Sequence, residues 1–398
     1  MKKHLSTILA FCFSVTACIY PYTPELDEAP EGILAVDANI TIGDVSTVRL
    51  GGLYSLYPSE ISQSPNFSDA KVWLEDDAGG TYRGDLAYGG NSVYGGYYVD
   101  LRAPVFNIDT ENAPGDRRYR LFIEALGATY TSDWSDVGEP PVISDIQFLA
   151  DDENVTVAVS LEGGPDATGY ALLSFDETWR FHVDYIPQYT VTPRIDWSGN
   201  WTISVEDTGP DQSKYFCWRS LDNQRSYPVD YTSMTGAGVT NWPLHKFLRT
   251  DSRNHQRYCV NVKARTISKS TYRFLKNLED TSSGGDNLFT PTPGEIASNM
   301  HCESDSDRMV LGYVIFSKCV SKRGWLDSRY LKYRPGSAYV LQWITPDLYK
   351  MYYDSGFTVL DYTDTPREGE GPYGWGPPQC YDCVAAGGTL TRPDFWED

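Results

Sequence analysis

From residue 32 to 135 the sequence is written in short runs that alternate apolar and polar side chains: ILAVDANI, STVRL, AKVWLEDDAGGTYRGDL, GYYVDLRA and RYRLFIEALGATYTS. Each run is bounded by Gly, Pro, Asp or Asn. Alternation with a period of two puts every second side chain on one face of a sheet, and the bounding residues supply turns. Within the third run, Val72 to Leu74 stops at Glu75-Asp76-Asp77 and resumes after Gly79-Gly80, which reads as a hairpin. Asp76 and Asp77 lack the remainder of a calcium loop and read as a solvated turn. Several short strands at this spacing predict a β-sandwich of about a hundred residues, immunoglobulin- or transthyretin-like. It occupies residues 32–137 and ends before Gly138-Glu139-Pro140-Pro141, because two prolines cannot continue a strand ladder.

Residues 142–398 continue as a larger, mainly-β domain. VISDIQFLA, VTVAVSLE, YALLSFDETWRFHVDYI, KYFCWRS, RYCVNVKARTIS and MVLGYVIFSKCVSKR are strand-like. One helix follows Ser268, where Tyr272, Leu275 and Leu278 recur at helical spacing and Ser270 stands as a candidate N-cap. A second short helix is predicted in TPDLYKMYYDSG, with Thr345 or Asp347 near its start. The 29 tyrosines, 11 tryptophans and 34 glycines, with few long helical periods, agree with an all-β class.

The N-terminus sets the compartment. Lys2 and Lys3 precede an apolar run, Leu5 to Val15, too short to span a bilayer and suited to a signal peptide. The run ends in Val15-Thr16-Ala17-Cys18, small residues before a cysteine, as a lipoprotein signal peptidase requires. Residues 1–17 are therefore expected to be removed and Cys18 to carry lipid, two or more acyl chains giving a stable anchor. Residues 18–31, with their prolines and the acids Glu25, Asp27, Glu28 and Glu31, read as an extended tether. Without Lys2 and Lys3, 31 basic residues face 54 acidic ones, a net charge of −23. That excludes nucleic acid and electrostatic adhesion to anionic lipid.

Six cysteines remain after Cys12 and Cys18: Cys217, Cys259, Cys302, Cys319, Cys380 and Cys383. An even number in an exported chain is expected to be oxidised, leaving no free thiol and no metal. Cys380 and Cys383 form a CxxC that follows GPYGWGPP and precedes VAAGG. This is loop chemistry rather than the strand-to-helix setting of a redox pair. His301, Cys302, Cys380 and Cys383 would make a Cys3His zinc set, but no second close pair stands at finger spacing. The reading is a staple that ties the C-terminal tail to the body, through Cys217 or Cys302.

Catalytic patterns are sparse. The four histidines after the signal, His182, His245, His255 and His301, sit in no HExxH, and no GxSxG elbow or P-loop occurs. Asp176, Glu177 and His182 are the best local acid–base group. On a strand, however, Glu177, Trp179 and Phe181 face one way and Asp176, Thr178, Arg180 and His182 the other, separating Glu177 from His182. No cofactor is expected. YGGNSVYGGYYV offers Tyr88, Tyr94, Tyr97 and Tyr98 as a candidate surface for a glycan, peptide or partner. Trp201, Trp242, Trp325 and Trp375 are equally open.

The lipobox, ILAVDANIT, the hairpin at EDDAGG, RYRLFIEALGATYTS, SFDETWRF, CWRS, RYCVNVKARTISKSTYRFLKNLED, FTPTPGEIASNMHC, VLGYVIFS and CYDCVAAGGTLTRPDFW occur in this order. As a set they resemble the outer-membrane lipoproteins of domain-of-unknown-function family 4249, over nearly the whole chain after the signal. The resemblance implies a lipid-anchored outer-membrane protein in bacteria that import nutrients through TonB-dependent transporters, acting as a partner of such a transporter; surface exposure is expected from the acidic residues that follow Cys18. It carries over no reaction, ligand or catalytic residue. The expected function is thus a non-enzymatic importer subunit or ligand-capture lid. The alternatives are a surface hydrolase or glycan-handling enzyme and an adhesion or structural lipoprotein.

Overall fold

Strand Leu34–Thr41 buries Leu34, Val36, Ala38 and Ile40 and exposes Asp37 and Asn39. The same rule runs through its neighbours. Val48 and Leu50, Val72 and Leu74, Phe106 and Ile108, and Tyr119, Leu121 and Ile123 all point into one core. In this computed structural model, which describes residues 33–397 apart from 53–66, 68, 88–92, 95–96, 99–103, 165, 224, 233–237, 284–297 and 332–338, these strands form one continuous sheet. Its order is Met300–Cys302, Ala128–Ser132, Arg118–Ala125, Lys71–Asp76, Thr81–Ala87, Val105–Asp109, Val45–Gly52, Leu34–Thr41 and Val310–Ser317. Side-chain hydrogen bonds join the two ends of this path. Asn299 Nδ2 donates to the Val314 carbonyl at 2.8 Å, its Oδ1 accepts the Val314 N–H at 2.8 Å, and Ser298 Oγ donates to the Gly312 carbonyl. The sheet thereby curls around its core.

Residues 300–317, which the sequence reading leaves in the larger half, complete this first body. Val310–Ser317 pairs in parallel with Leu34–Thr41 across the whole strand. Gly312 is required there: its φ is +117°, and a Cβ would lie 1.9 Å from the Val36 carbonyl oxygen. The predicted hairpin closes as Lys71–Asp76 and Thr81–Ala87.

The second body is a sandwich. Val142–Ala150, Asn154–Glu162 and Gly238–Leu248 form one sheet. The other runs Phe216–Asp222, Tyr170–His182, Arg257–Thr266 and Cys319–Asp327, with Tyr227–Asp230 beside the start of Tyr170–His182. Their inner faces share a core of Val155, Val157, Phe175, Trp179, Phe247, Tyr258 and Val260. A third, small unit packs the hairpin Tyr189–Ile195/Trp201–Asp207 against the strands Gln342–Trp343, Tyr373–Gly376 and Thr358–Tyr362, around the fully buried Trp375.

The chain is thus all-β with short helices. Helix Lys269–Ser283 bridges the first two bodies, with Tyr272 against Tyr170 and Phe274 stacked on Tyr313. Its cap is Ser268, whose Oγ accepts the Thr271 N–H at 3.0 Å, not Ser270. The TPDLYKMYYDSG stretch gives a single 3-10 turn, Pro346–Leu348, entered at Thr345, then the α-helix Tyr349–Asp354.

Candidate ligand-binding cleft

Strand Thr81–Ala87 changes partners midway. Thr81 to Arg83 pair with Glu75 to Trp73, whereas Gly84 to Ala87 pair with Ile108 to Val105. Where the strand leaves Lys71 and Val72, the sheet parts and a concavity of about 580 Å³ opens. Val72, Leu86 and Phe106 line it below the outward side chains of Lys71, Trp73, Arg83, Asp85 and Glu124. Alternation places Trp73 and Glu75, Arg83 and Asp85, and Arg120, Phe122 and Glu124 on this outer face.

Trp73 is held rigidly. Its indole stacks on Phe122 at 5.1 Å and 4°, and its Nε1–H donates to Glu75 Oε1 at 3.2 Å. The Arg120 guanidinium covers Phe122 at 4.3 Å and Trp134 at 4.6 Å, and pairs with Glu75. The part of the indole that Phe122 leaves uncovered lines the cleft. Lys71 and Glu124 form an ion pair at 2.8 Å on the rim. Arg83 and Asp85 are exposed and have no hydrogen-bond or ion-pair partner among the described residues. Across the Lys71–Glu124 pair lies a second concavity of about 600 Å³, lined by Phe67, Leu126, Gly127, Thr129 and Ser304 among others.

The acid–base candidates of the second body are divided between the two faces of their strand, as its parity predicts. Glu177 does face away from His182, into the core, and is 4% exposed. There it accepts from Arg253 Nη2 at 2.5 Å, Arg253 Nε at 3.0 Å and the Tyr258 hydroxyl at 2.9 Å. Arg253 also binds Asp251 and lies over Trp179 at 4.7 Å. Burial works against the guanidinium charge. The hydrogen bonds and proximity of Glu177 and Asp251 outweigh it and hold Arg253 more basic than usual. His245 Nε2 stands 3.7 Å from Glu177 Oε2. Neither His245 nor Arg253 is a sequence neighbour of Glu177; His245 comes from the facing sheet and Arg253 from the 3-10 turn Ser252–Asn254. A carboxylate so fully committed to an arginine fork and a phenol holds the sandwich together rather than moving protons. Asp176 points outward to Lys263 and Asn261, and the His182 ring stacks on Tyr215.

Burial depresses the pKa of His245 below the ordinary 6.5, against the opposing pull of Glu177. His255, half-buried beside His182, shifts the same way because burial disfavours its charged form. Both contribute stability that is complete above about pH 6.5 and is lost as pH falls through their depressed folded values, because the unfolded chain takes up protons first. The urea midpoint is therefore expected to drop between pH 7.5 and 5.5. His245→Phe, placed among Phe175 and Phe247, should flatten part of that slope. An equal slope in the variant would remove His245 from this account.

The cysteines divide. Cys217 and Cys383 are joined, with Cα atoms 5.6 Å apart, so the tail staple runs through Cys217. Cys259, Cys302, Cys319 and Cys380 are thiols, contrary to the expectation of full oxidation. Their positions explain it. Cys302 lies in the first core and Cys380 in a separate cluster with Leu341 and Leu360. Cys259 is level with Trp325 and Cys319 with Arg265, six residues apart along the same ladder, or ~20 Å. Burial pushes the Cys259 and Cys380 thiols up to about 12, so both are poor nucleophiles. The Cys3His set is not assembled: Cys383 is in the disulfide and His301 binds Asp133 at 2.8 Å. Asp76 is a buried turn residue rather than a solvated one. Its carboxylate accepts the Ala78 and Gly80 N–H groups and the Tyr82 hydroxyl.

Cys18 and Tyr88 lie outside the described residues. Val93–Tyr94 pairs with Tyr97–Tyr98, but the side chains of Tyr94, Tyr97 and Tyr98 also lie outside the description. The four open tryptophans are all packed: Trp201 on Tyr353, Trp242 on Tyr227, Trp325 on Trp396, and Trp375 in the third core. Trp73, the indole that lines a cavity, carries no signal in its sequence beyond an alternating strand.

From residue 19 to residue 323 the chain matches the family model described as a domain of unknown function, DUF4249. The chain belongs to that family. The DUF4249 region contains the first body, with its cleft, and the Glu177–Arg253 network. The three strands of the third unit, Gln342–Trp343, Thr358–Tyr362 and Tyr373–Gly376, and the tail lie beyond it, while the hairpin Tyr189–Ile195/Trp201–Asp207 lies within it; the disulfide ties Cys217 inside the DUF4249 region to Cys383 outside. No curated protein matches the chain.

Proposed function

We propose that the chain is a lipid-anchored outer-membrane accessory protein, a non-enzymatic partner that captures ligand for a TonB-dependent nutrient importer. The observation that carries this reading is the Trp73 cleft: a rigid aromatic wall with two charged side chains that have no partner among the described residues, on the body that directly follows the tether. Residues 18 to 33 span at most ~55 Å when fully extended. With lipid on Cys18, the first body and its cleft are confined close to the membrane plane, where effective concentration toward a transporter is high. Among the described residues no helix is long and apolar enough to cross a membrane, so the anchor would supply the attachment.

Cys18→Ser is expected to shift the protein from the outer-membrane fraction to the soluble fraction and to abolish labelling with a clickable fatty acid. A variant that still floats with outer membranes would refute the anchor.

A further inference from the structure

We infer that the cleft bounded by Trp73, Arg83 and Asp85 is a binding site for a neutral, linear oligosaccharide. The inference deepens the capture reading by naming its ligand class. The binding itself needs no transporter.

Three features converge. First, the indole is fixed by Phe122 and by its bond to Glu75. It therefore offers a wall whose ordering cost is already met. The C–H face of a pyranose ring is apolar and packs on such a wall, while its equatorial hydroxyls remain at the rim. Second, Arg83 is the direct cross-strand neighbour of Trp73, and Asp85 is two residues further on the same face. A guanidinium donates two parallel hydrogen bonds and a carboxylate accepts two, which suits vicinal hydroxyls that both donate and accept. Third, the two concavities, about 580 and 600 Å³, share Ala70, Lys71 and Glu124 as a common wall. Each has the volume of a small-molecule site. An extended ligand lying over the Lys71–Glu124 pair would engage both.

The charges select neutrality. On the rim, Lys71 and Arg83 balance Asp85 and Glu124. The chain as a whole carries −21 and repels a polyanionic glycan.

The test uses the soluble Cys18→Ser chain, titrated with cellohexaose, maltohexaose, mannohexaose and xylohexaose. Binding is followed by tryptophan fluorescence and by calorimetry. At least one is expected to bind with one-to-one stoichiometry. Trp73→Ala should weaken it tenfold or more, and Arg83→Ala and Asp85→Asn several-fold each. Trp197→Ala, at a hairpin tip where the indole is 98% exposed, should change nothing. Arg83 and Asp85 are exposed strand residues, so their variants decide the matter even if Trp73→Ala disturbs the sheet. The inference is overturned if none of the four sugars binds, if the three cleft variants bind as the parent does, or if oligogalacturonate binds as well as the neutral sugars. Co-purification with a transporter is a separate readout: its loss with sugar binding intact would sink the importer reading alone, and the reverse would sink only the sugar site.

Discussion

Arg253→Ala is expected to cost about 3–5 kcal/mol of folding stability, the usual penalty for removing one partner of a buried ion pair. The Arg253 and Glu177 side chains are 14% and 5% exposed. Truncation would strand the Glu177 carboxylate between the two sheets, with the Tyr258 hydroxyl as its remaining hydrogen-bond donor and His245 nearby. It would also strip the cation from the Trp179 and Phe247 rings. The pair itself need not be stabilising relative to apolar packing. Glu177→Leu combined with Arg253→Met should therefore recover most of the loss. Urea denaturation of the single and double variants measures both. A loss below about 1 kcal/mol in Arg253→Ala would mean that water reaches the site and that the network is not buried as described.

Breaking the Cys217–Cys383 bridge by double substitution to alanine is expected to cost about 2–5 kcal/mol, because the bond closes a 166-residue separation in the unfolded chain. Its local effect should be larger than its global one. The tail is otherwise held by the Lys214–Asp382 ion pair, by paired backbone bonds between Trp218 and Thr389, and by Trp396 wedged against Trp218 and Trp325. Limited proteolysis of the variant should cut near residues 384–390 while the two β-bodies persist. Thermal melting gives the global figure. A tail as protease-resistant as the parent's would show that the aromatic wedge, not the bridge, fixes it.

Much of the fold was legible where its cause is local. Period-two alternation announced Leu34–Thr41 and Arg118–Ala125, and Asp76 with two glycines announced the hairpin. The parallel pairing of Leu34–Thr41 with Val310–Ser317 has no local signal, since no turn joins strands so far apart in sequence. Ser268 and Ser270 are both competent caps by composition, and only backbone geometry selects Ser268. Strand parity correctly separated Glu177 from His182. It could not supply Tyr258 from the paired strand, His245 from the facing sheet or Arg253 from the 3-10 turn Ser252–Asn254. The cleft was illegible for a related reason. It arises because Thr81–Ala87 switches partners, and nothing in TYRGDLA marks where that switch falls.

A membrane-tethered partnership is open to a single co-purification. The native lipoprotein, tagged at its C-terminus, is crosslinked in intact cells and purified from outer membranes in mild detergent. A TonB-dependent transporter is expected to co-purify in near-stoichiometric amount, and Cys18→Ser to abolish the association. A lipoprotein that purifies alone, with no transporter among its crosslinked products, would contradict it.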